Sequence, residues 1–205
     1  VRNTQIVLLV MSALIFGFGV ALIFTIRRSL QREIGRASRR LKVAAEVGRA
    51  ASSFLSPDQL FDTTLNLIRE RFGFYHASIF LLDDKEEYAV LQAATGEAGQ
   101  VLAQRGHKLR VGSNSIIGYV TANNAPRAVS DVNRDPVYFK DELLANTRSE
   151  LAVPLRIGRR VIGALDVQSA RRNAFSSDDV AILQILADQV AVAIQNARLF
   201  AKEQA

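Results

Sequence analysis

The chain has no cysteine in 205 residues. That excludes a disulfide, a thiolate metal site, an iron–sulfur cluster and a cysteine nucleophile. Histidine is almost as scarce, with only His76 and His107. Neither has a second ligand at fixed spacing, so no zinc or non-haem iron site is expected. The glycines match neither a phosphate-binding loop nor a dinucleotide fingerprint. No Ser-His-Asp arrangement stands out, and no nucleophile, base pair or metal set suggests catalysis. No catalytic residue, metal or cofactor is therefore expected, and the chain is read as a non-enzyme.

Excess acid is also missing, and the net charge is +6. This looks like a nucleic-acid signal, but the charge is unevenly placed. Arg2, Arg27, Arg28, Arg32, Arg36, Arg39, Arg40 and Lys42 make up eight of the 26 basic residues, with only Glu33 among the acids of that region. The rest of the chain keeps 18 basic against 19 acidic residues. A duplex-binding domain carries its positive charge on the folded body, so nucleic acid is not expected as a partner.

Residues 6–26 contain no charge at all. That length suits the roughly 20 residues a helix needs to cross a bilayer. A signal peptide has a shorter apolar core with its charge before it, whereas here Arg27 and Arg28 follow. The span reads as a retained single-pass anchor after a short extracytoplasmic stretch, residues 1–5. The basic residues after the span place the C-terminal side in the cytoplasm and the anchor in the inner, cytoplasmic membrane. They serve as a topology signal, as a contact for anionic lipid heads, or as both.

Between Arg27 and Phe54 there is no proline. Ile26, Leu30, Ile34, Ala37, Leu41, Ala44 and Gly48 recur at spacings of three and four, as in a coiled-coil seam. Residues 27–42 are thus expected to be a basic juxtamembrane helix, acting as a signalling rod or as an inert tether. Ser56-Pro57-Asp58 marks a break, with Pro57 suited to a first helical position. Leu60, Phe61, Thr64, Leu65, Leu67, Ile68 and Phe72 then give an amphipathic helix ending at Gly73.

Strands are expected at Tyr75–Asp83, Tyr88–Ala94 and His107–Val111, with loop and polar chain from Thr95 to Gly106. A short helix is expected over Ile116–Ala122, extended chain over Arg127–Ser130, and a polar segment to Thr147 with a short helix near Tyr138–Leu144. Ser149–Ile157 and Arg160–Ser169 flank Gly158-Arg159 as a hairpin. Ser176 with Asp179 three residues on forms a capping box with Asp in place of Glu. It opens an apolar helix from Val180 to Lys202, whose polar Gln184, Asp188, Gln195, Arg198 and Lys202 form one narrow stripe. A surface helix needs one apolar face. This one has nearly two, so a partner helix is expected on the second. Ile182, Ile185, Gln189, Val192 and Asn196 are the candidate interface residues, and a homodimer is the expected assembly.

The segments SELAVPLRIGRRVIGALDVQS and FSSDDVAILQILADQVAVAIQNARLF resemble the C-terminal half of a GAF domain. FGFYHASIFLLDDKEEYAVLQAATGEAG and HKLRVGSNSIIGYVTANNAPRAVSDV resemble its first half. The likeness spans residues 43–203 and implies an α+β fold. A central antiparallel sheet would carry helices on both faces, preceded here by the transmembrane helix and the helical linker. It also implies a small-molecule-sensing, dimerising module of a membrane-anchored signalling protein. In related architectures, two-component sensor kinases among them, a histidine kinase, a cyclase or another sensor follows, and no catalytic motif of such an output domain is present. The chain starts at Val1 and stops at Ala205 on a helix still in phase, as a piece of a longer protein would.

Covalent bilin binding and the GAF-type methionine sulfoxide reductases both require cysteine, which is absent. Cyclic-nucleotide-binding members carry an Asn-Lys-Phe-Asp-Glu signature. Phe175 and Asp179 match its Phe and Asp, but Val180 replaces the Glu, so Phe175 reads as a core anchor and Asp179 as a cap. In the second hairpin strand, alternation puts Val161, Gly163, Leu165 and Val167 on one face and Ile162, Ala164, Asp166 and Gln168 on the other. If the first set meets the helices, Asp166 faces a pocket. Phe80, Ile117, Tyr119, Tyr138, Phe139 and Asp166 are the candidate contacts for an unidentified small molecule. Each of the five apolar or aromatic ones also suits plain core or lid packing. Two functions remain open, a ligand sensor and a ligandless assembly module at the membrane.

Overall fold

The computed structural model describes residues 57–203. The expected anchor, the basic juxtamembrane helix and the first residues of the domain, 1–56 together, lie outside them. Four helices and six strands follow in order: α1 (Pro57–Phe72), β1 (His76–Leu82), β2 (Tyr88–Ala94), α2 (Gly96–Gln104), β3 (Lys108–Arg110), α3 (Ile116–Asn123), β4 (Arg127–Val129), β5 (Ser149–Ile157), β6 (Arg160–Ser169) and α4 (Ser177–Glu203). The strands form one antiparallel sheet in the order β3-β2-β1-β6-β5-β4.

Two hairpins build the sheet. Asp83 closes the first, its Oδ1 accepting the backbone N–H of Glu87 at 2.8 Å and of Tyr88 at 3.1 Å. The second turns over Gly158 and Arg159 between the paired Ile157 and Arg160. Gly158 sits at φ +61, a left-handed conformation that two-residue hairpin turns require.

The pleat sorts side chains into two cores. On one face α1 and α4 pack on the sheet, burying Leu60, Leu65, Ile68, Ile79, Leu151, Leu165, Leu183, Leu186, Val190 and Ile194. Burial of each such side chain stabilises by roughly 1.5–3 kcal/mol. On the other face α2, α3 and the segment from Val132 to Leu144 bury Phe80, Leu91, Leu102, Ile116, Ile117 and Val120. Helices thus cover both faces, in agreement with the sequence expectation.

The register contains a shift that the simple alternation misses. Arg156 pairs with Val161, but Leu155 pairs with Gly163, leaving Ile162 as an extra residue. This is a β-bulge, which resets which side chains share a face. Alternation holds from Gly163 to Gln168 as expected. Ile162 departs from it and packs with the helix-side core.

Two other expectations are corrected. The stretch after Thr95 is not loop and polar chain but α2, with Leu102 and Gly99 buried. Its signal was hidden by Gly96 and Gly99, which depress helix propensity. Gly99 is there for space, since a Cβ would lie 2.6 Å from the Ala94 carbonyl carbon. The short helix near Tyr138–Leu144 shrinks to a 3₁₀ turn, Glu142–Leu144, capped by Asp141. A second 3₁₀ turn, Val132–Arg134, precedes it and is capped by Asp131.

The capping box at α4 is formed. The Ser176 backbone N–H donates to Asp179 Oδ2 at 2.8 Å, and the Asp179 N–H donates to Ser176 Oγ at 3.3 Å. Phe175 anchors the same corner, its ring 5.4 Å from that of Phe74. Arg156 fastens the middle of α4 with a bidentate pair to Asp188, at 2.9 and 2.7 Å. Gln184 and Asp188 therefore reach back to β5 rather than only forming a solvent stripe. Among the described residues α4 alone is long and apolar enough to cross a membrane, and half of that stretch is buried within the fold, as befits a core helix. Its outward side keeps Ile185 and Val192 at 50% and Leu199 at 53% exposure, seven residues apart.

Candidate functional site

The sheet face opposite α1 and α4 holds an interior cavity of about 40 Å³. Its floor comes from the three central strands, because the pleat aims alternate residues there. β1 contributes His76, Ser78 and Phe80, β6 contributes Asp166 and Gln168, and β5 contributes Glu150. Pairing brings them level: Ser78 opposes Asp166, His76 opposes Gln168, and Gln168 opposes Glu150. Walls and roof are mainly apolar, from Leu91, Leu102, Ile116, Ile117 and Leu144, with Ser115 and Asp141 as the polar exceptions. His107 and Phe139 stand at the rim, with ring centres 6.2 Å apart.

The floor is a buried, hydrogen-bonded polar cluster. Asp166 Oδ2 accepts from Ser78 Oγ and from Gln168 Nε2, both at 3.0 Å. Thr147 Oγ1 donates to Gln168 Oε1 at 2.6 Å, which locks that amide. Asp166 Oδ1 is buried and receives no N–H or hydroxyl donor. Glu150 and Asp166 are 5% and 2% exposed.

Burial sets the protonation of this cluster, because a low-dielectric setting disfavours every charged form. Burial first, then the Asp166 charge, raises Glu150 well above the usual carboxylate range. Asp166 is pushed up to about 6, mainly by burial, with the hydrogen bonds from Gln168, Ser78 and Glu150 pulling the other way. Each carboxyl feels the other's charge, so Glu150 and Asp166 titrate as one unit. Burial holds His76 down to about 4, leaving a neutral ring at neutral pH. His107 is also lowered by burial, with partial relief from the Asp141 charge. Tyr138 is pushed up to about 12, by burial and then by Glu150. Among the described residues no group of three or more His, Asp or Glu is placed to hold a metal ion.

Of the six candidate contacts, Phe80, Ile117, Phe139 and Asp166 line this cavity. Tyr119 does not. One helical turn puts Ile116, Ile117 and Val120 inward and leaves Tyr119 on the flank. There its ring carries the Arg127 guanidinium at 4.6 Å, which also pairs with Asp135 at 2.9 Å. Tyr138 departs as well, because adjacent residues in extended chain diverge. Phe139 takes the rim of the cavity, and Tyr138 lines a separate polar cleft with Lys140, Thr147, Arg148 and Arg172.

Sequence reasoning missed Glu150, His76, His107, Ser78, Gln168 and Asp141 as lining residues. Ser78 and Gln168 were within reach, each two residues from a chosen candidate on the same strand. Glu150 was not. Counting back from the hairpin turn without a bulge would set it opposite Val167, on the helix side. The extra residue at Ile162 moves it opposite Gln168, on the cavity side.

An antiparallel sheet sandwiched by helices, with a polar-floored cavity on one face, defines a small α+β domain with a covered interior site. Residues 55–195 match the family model for the GAF domain, and the chain belongs to that family. Its members are modules of signalling and sensory proteins. The GAF domain of a phosphoenolpyruvate-protein phosphotransferase from Coxiella burnetii superposes with a TM-score of 0.72, at 22% identity over 82% of this chain and 99% of that one. A free methionine-R-sulfoxide reductase from Neisseria meningitidis, in complex with its substrate, superposes with a TM-score of 0.68, at 22% identity over 80% and 92%. At that identity the likeness is one of fold. No curated protein matches the chain.

Proposed function

We propose that this chain is the membrane-anchored sensory and regulatory module of a signal-transduction protein. Residues 6–26 tether it to the cytoplasmic membrane with the GAF domain in the cytoplasm. A small molecule in the cavity biases two arrangements of a dimeric helical bundle built on α4. The absence of cysteine rules out a thiol mechanism, and the reading assigns the chain a regulatory rather than a catalytic role.

One observation carries this reading, the outward seam of α4. Ile185, Val192 and Leu199 stay half exposed at heptad spacing, with Gln189 and Asn196 between them. Heptad-spaced apolar residues pack against a partner helix as knobs into holes. Ile182, named from the sequence, leaves this set. It is 9% exposed and belongs to the domain's own core, and Leu199 takes a place in the seam instead. The same helix rests on β5 and β6, whose opposite face floors the cavity, so ligand and seam share one sheet. Coupling requires the ligand to bind the two arrangements with different affinity.

Ile185→Glu and Val192→Glu test the seam by sedimentation of the purified chain in mild detergent. Each is expected to shift a dimer to monomer with the fold intact by circular dichroism. A dimer that survives both changes refutes the seam.

The cavity's size supports a second reading, a ligandless assembly module. At about 40 Å³ it holds a water or two, far below the few hundred Å³ of a drug-sized site. Native mass spectrometry of the purified chain decides between the two. A retained small molecule supports sensing. An empty protein that no metabolite stabilises against heat supports assembly alone.

A further inference from the structure

The cavity floor carries a buried negative charge with nothing inside to balance it. Burial pushes the Asp166 carboxyl up to about 6, which leaves it largely ionised at neutral pH. Among the described residues no lysine or arginine lines the cavity, and the His76 imidazole is neutral. Asp166 Oδ1 has no N–H or hydroxyl partner and is buried. A buried carboxylate is costly unless it is paired or fully hydrogen-bonded, and here half of its acceptor capacity is open.

We infer that the ligand of this site is a small molecule bearing a primary ammonium group, with that group docked against Asp166 and Glu150. This rests on the sensory reading above and names the ligand class for the same cavity. The chemistry selects a primary ammonium over other cations. It offers three N–H donors to a cluster short of donors, whereas a quaternary ammonium offers none. A divalent metal takes six or more oxygen ligands or a strict octahedron. Asp166 Oδ2 and Gln168 Oε1 are already engaged. The chamber of about 40 Å³ admits an ammonium head and little else. The body of the ligand passes the rim, where Phe139 is 50% exposed. Phe139 lies just before the Glu142–Leu144 turn, in a segment outside the sheet, so its ring can give way without breaking strand pairing. The rings of Phe80, His107 and Phe139 line the cavity, and aromatic faces also attract a cation.

The test is a thermal-melt and calorimetric panel on the full chain in mild detergent. Primary amines, from methylammonium through amino acids to diamines, are each compared with their alcohol and carboxylate counterparts. Tetramethylammonium, magnesium chloride and calcium chloride complete the set. At least one primary amine is expected to raise the melting temperature by several degrees while its alcohol does not. Asp166→Asn should weaken that amine at least tenfold. Ser176→Ala, outside the cavity, should retain binding within about threefold, and an unchanged circular dichroism spectrum of Asp166→Asn shows that the site tolerates substitution. Three results overturn the inference. If neutral or anionic compounds bind, and bind equally to Asp166→Asn, the ammonium class fails while the sensory reading stands. If a metal chloride or tetramethylammonium alone stabilises the chain, the class fails in the same way. If no compound of any charge binds, both readings fail.

Discussion

Replacing Asp166 with Asn removes one buried charge and almost nothing else. The side-chain carbonyl of Asn still accepts from Ser78 and Gln168, and its amide can donate toward Glu150. The wild-type carboxyl titrates at about 6 in the fold, against 3.8 as its ordinary value, chiefly because it is buried. The folded state thus holds a proton that the unfolded state has released between about pH 4 and 6. Stability falls as pH rises through that window and stays lower above it. A difference of about two in pKa corresponds to ~3 kcal/mol. Glu150 adds to the effect in the same direction, because it loses a neighbouring charge in the variant. His76 has the opposite linkage, its stability being lost as pH falls from about 6.5 toward about 4. It is present in both proteins and cancels in the difference.

Asp166→Asn is therefore expected to match wild type near pH 4 and to exceed it by ~3 kcal/mol at pH 7. For a domain of this size that is roughly 6–12 °C in melting temperature. Urea unfolding followed by circular dichroism at pH 4, 5, 6 and 7 measures it. A wild-type–variant difference that stays flat within ~0.5 kcal/mol across that range would refute the buried-carboxylate argument, as would a less stable variant at pH 7.

Other perturbations follow from the same geometry. A Cβ on Gly163 would lie 2.0 Å from the Phe80 carbonyl oxygen and 3.0 Å from Leu81 Cα. Both are backbone atoms of the neighbouring strand, so Gly163→Ala must push β1 and β6 apart. A loss above ~3 kcal/mol is expected, read as a lower urea midpoint; a change under ~1 kcal/mol would contradict the close approach. Ser176→Ala removes one half of the α4 capping box and should cost ~1 kcal/mol, seen as a melting temperature about 2–4 °C lower. Arg156→Ala should cost no more than ~1 kcal/mol despite its bidentate geometry, since the pair is 31% and 41% exposed and such pairs are screened by water.

The elements closest to their expected bounds are those with local causes. The strands Tyr88–Ala94, Ser149–Ile157 and Arg160–Ser169, the Gly158-Arg159 turn and the Ser176–Asp179 capping box all follow from neighbours a few residues apart. So does the excess of apolar surface on α4, which spacing alone exposes. What sequence spacing did not reach depends on register and on packing between distant segments. One extra residue at Ile162 turns Glu150 from the helix side to the cavity side and so creates the carboxyl pair. Contact with the sheet makes a helix of Gly96–Gln104 despite two glycines. Crowding of side chains from separate strands reduces the cavity to about 40 Å³. The charge state of Asp166 belongs to tertiary structure as well. A carboxyl's pKa depends on how much water and how many donors surround it, and those arrive from β1, β5 and β6 only once the sheet has closed.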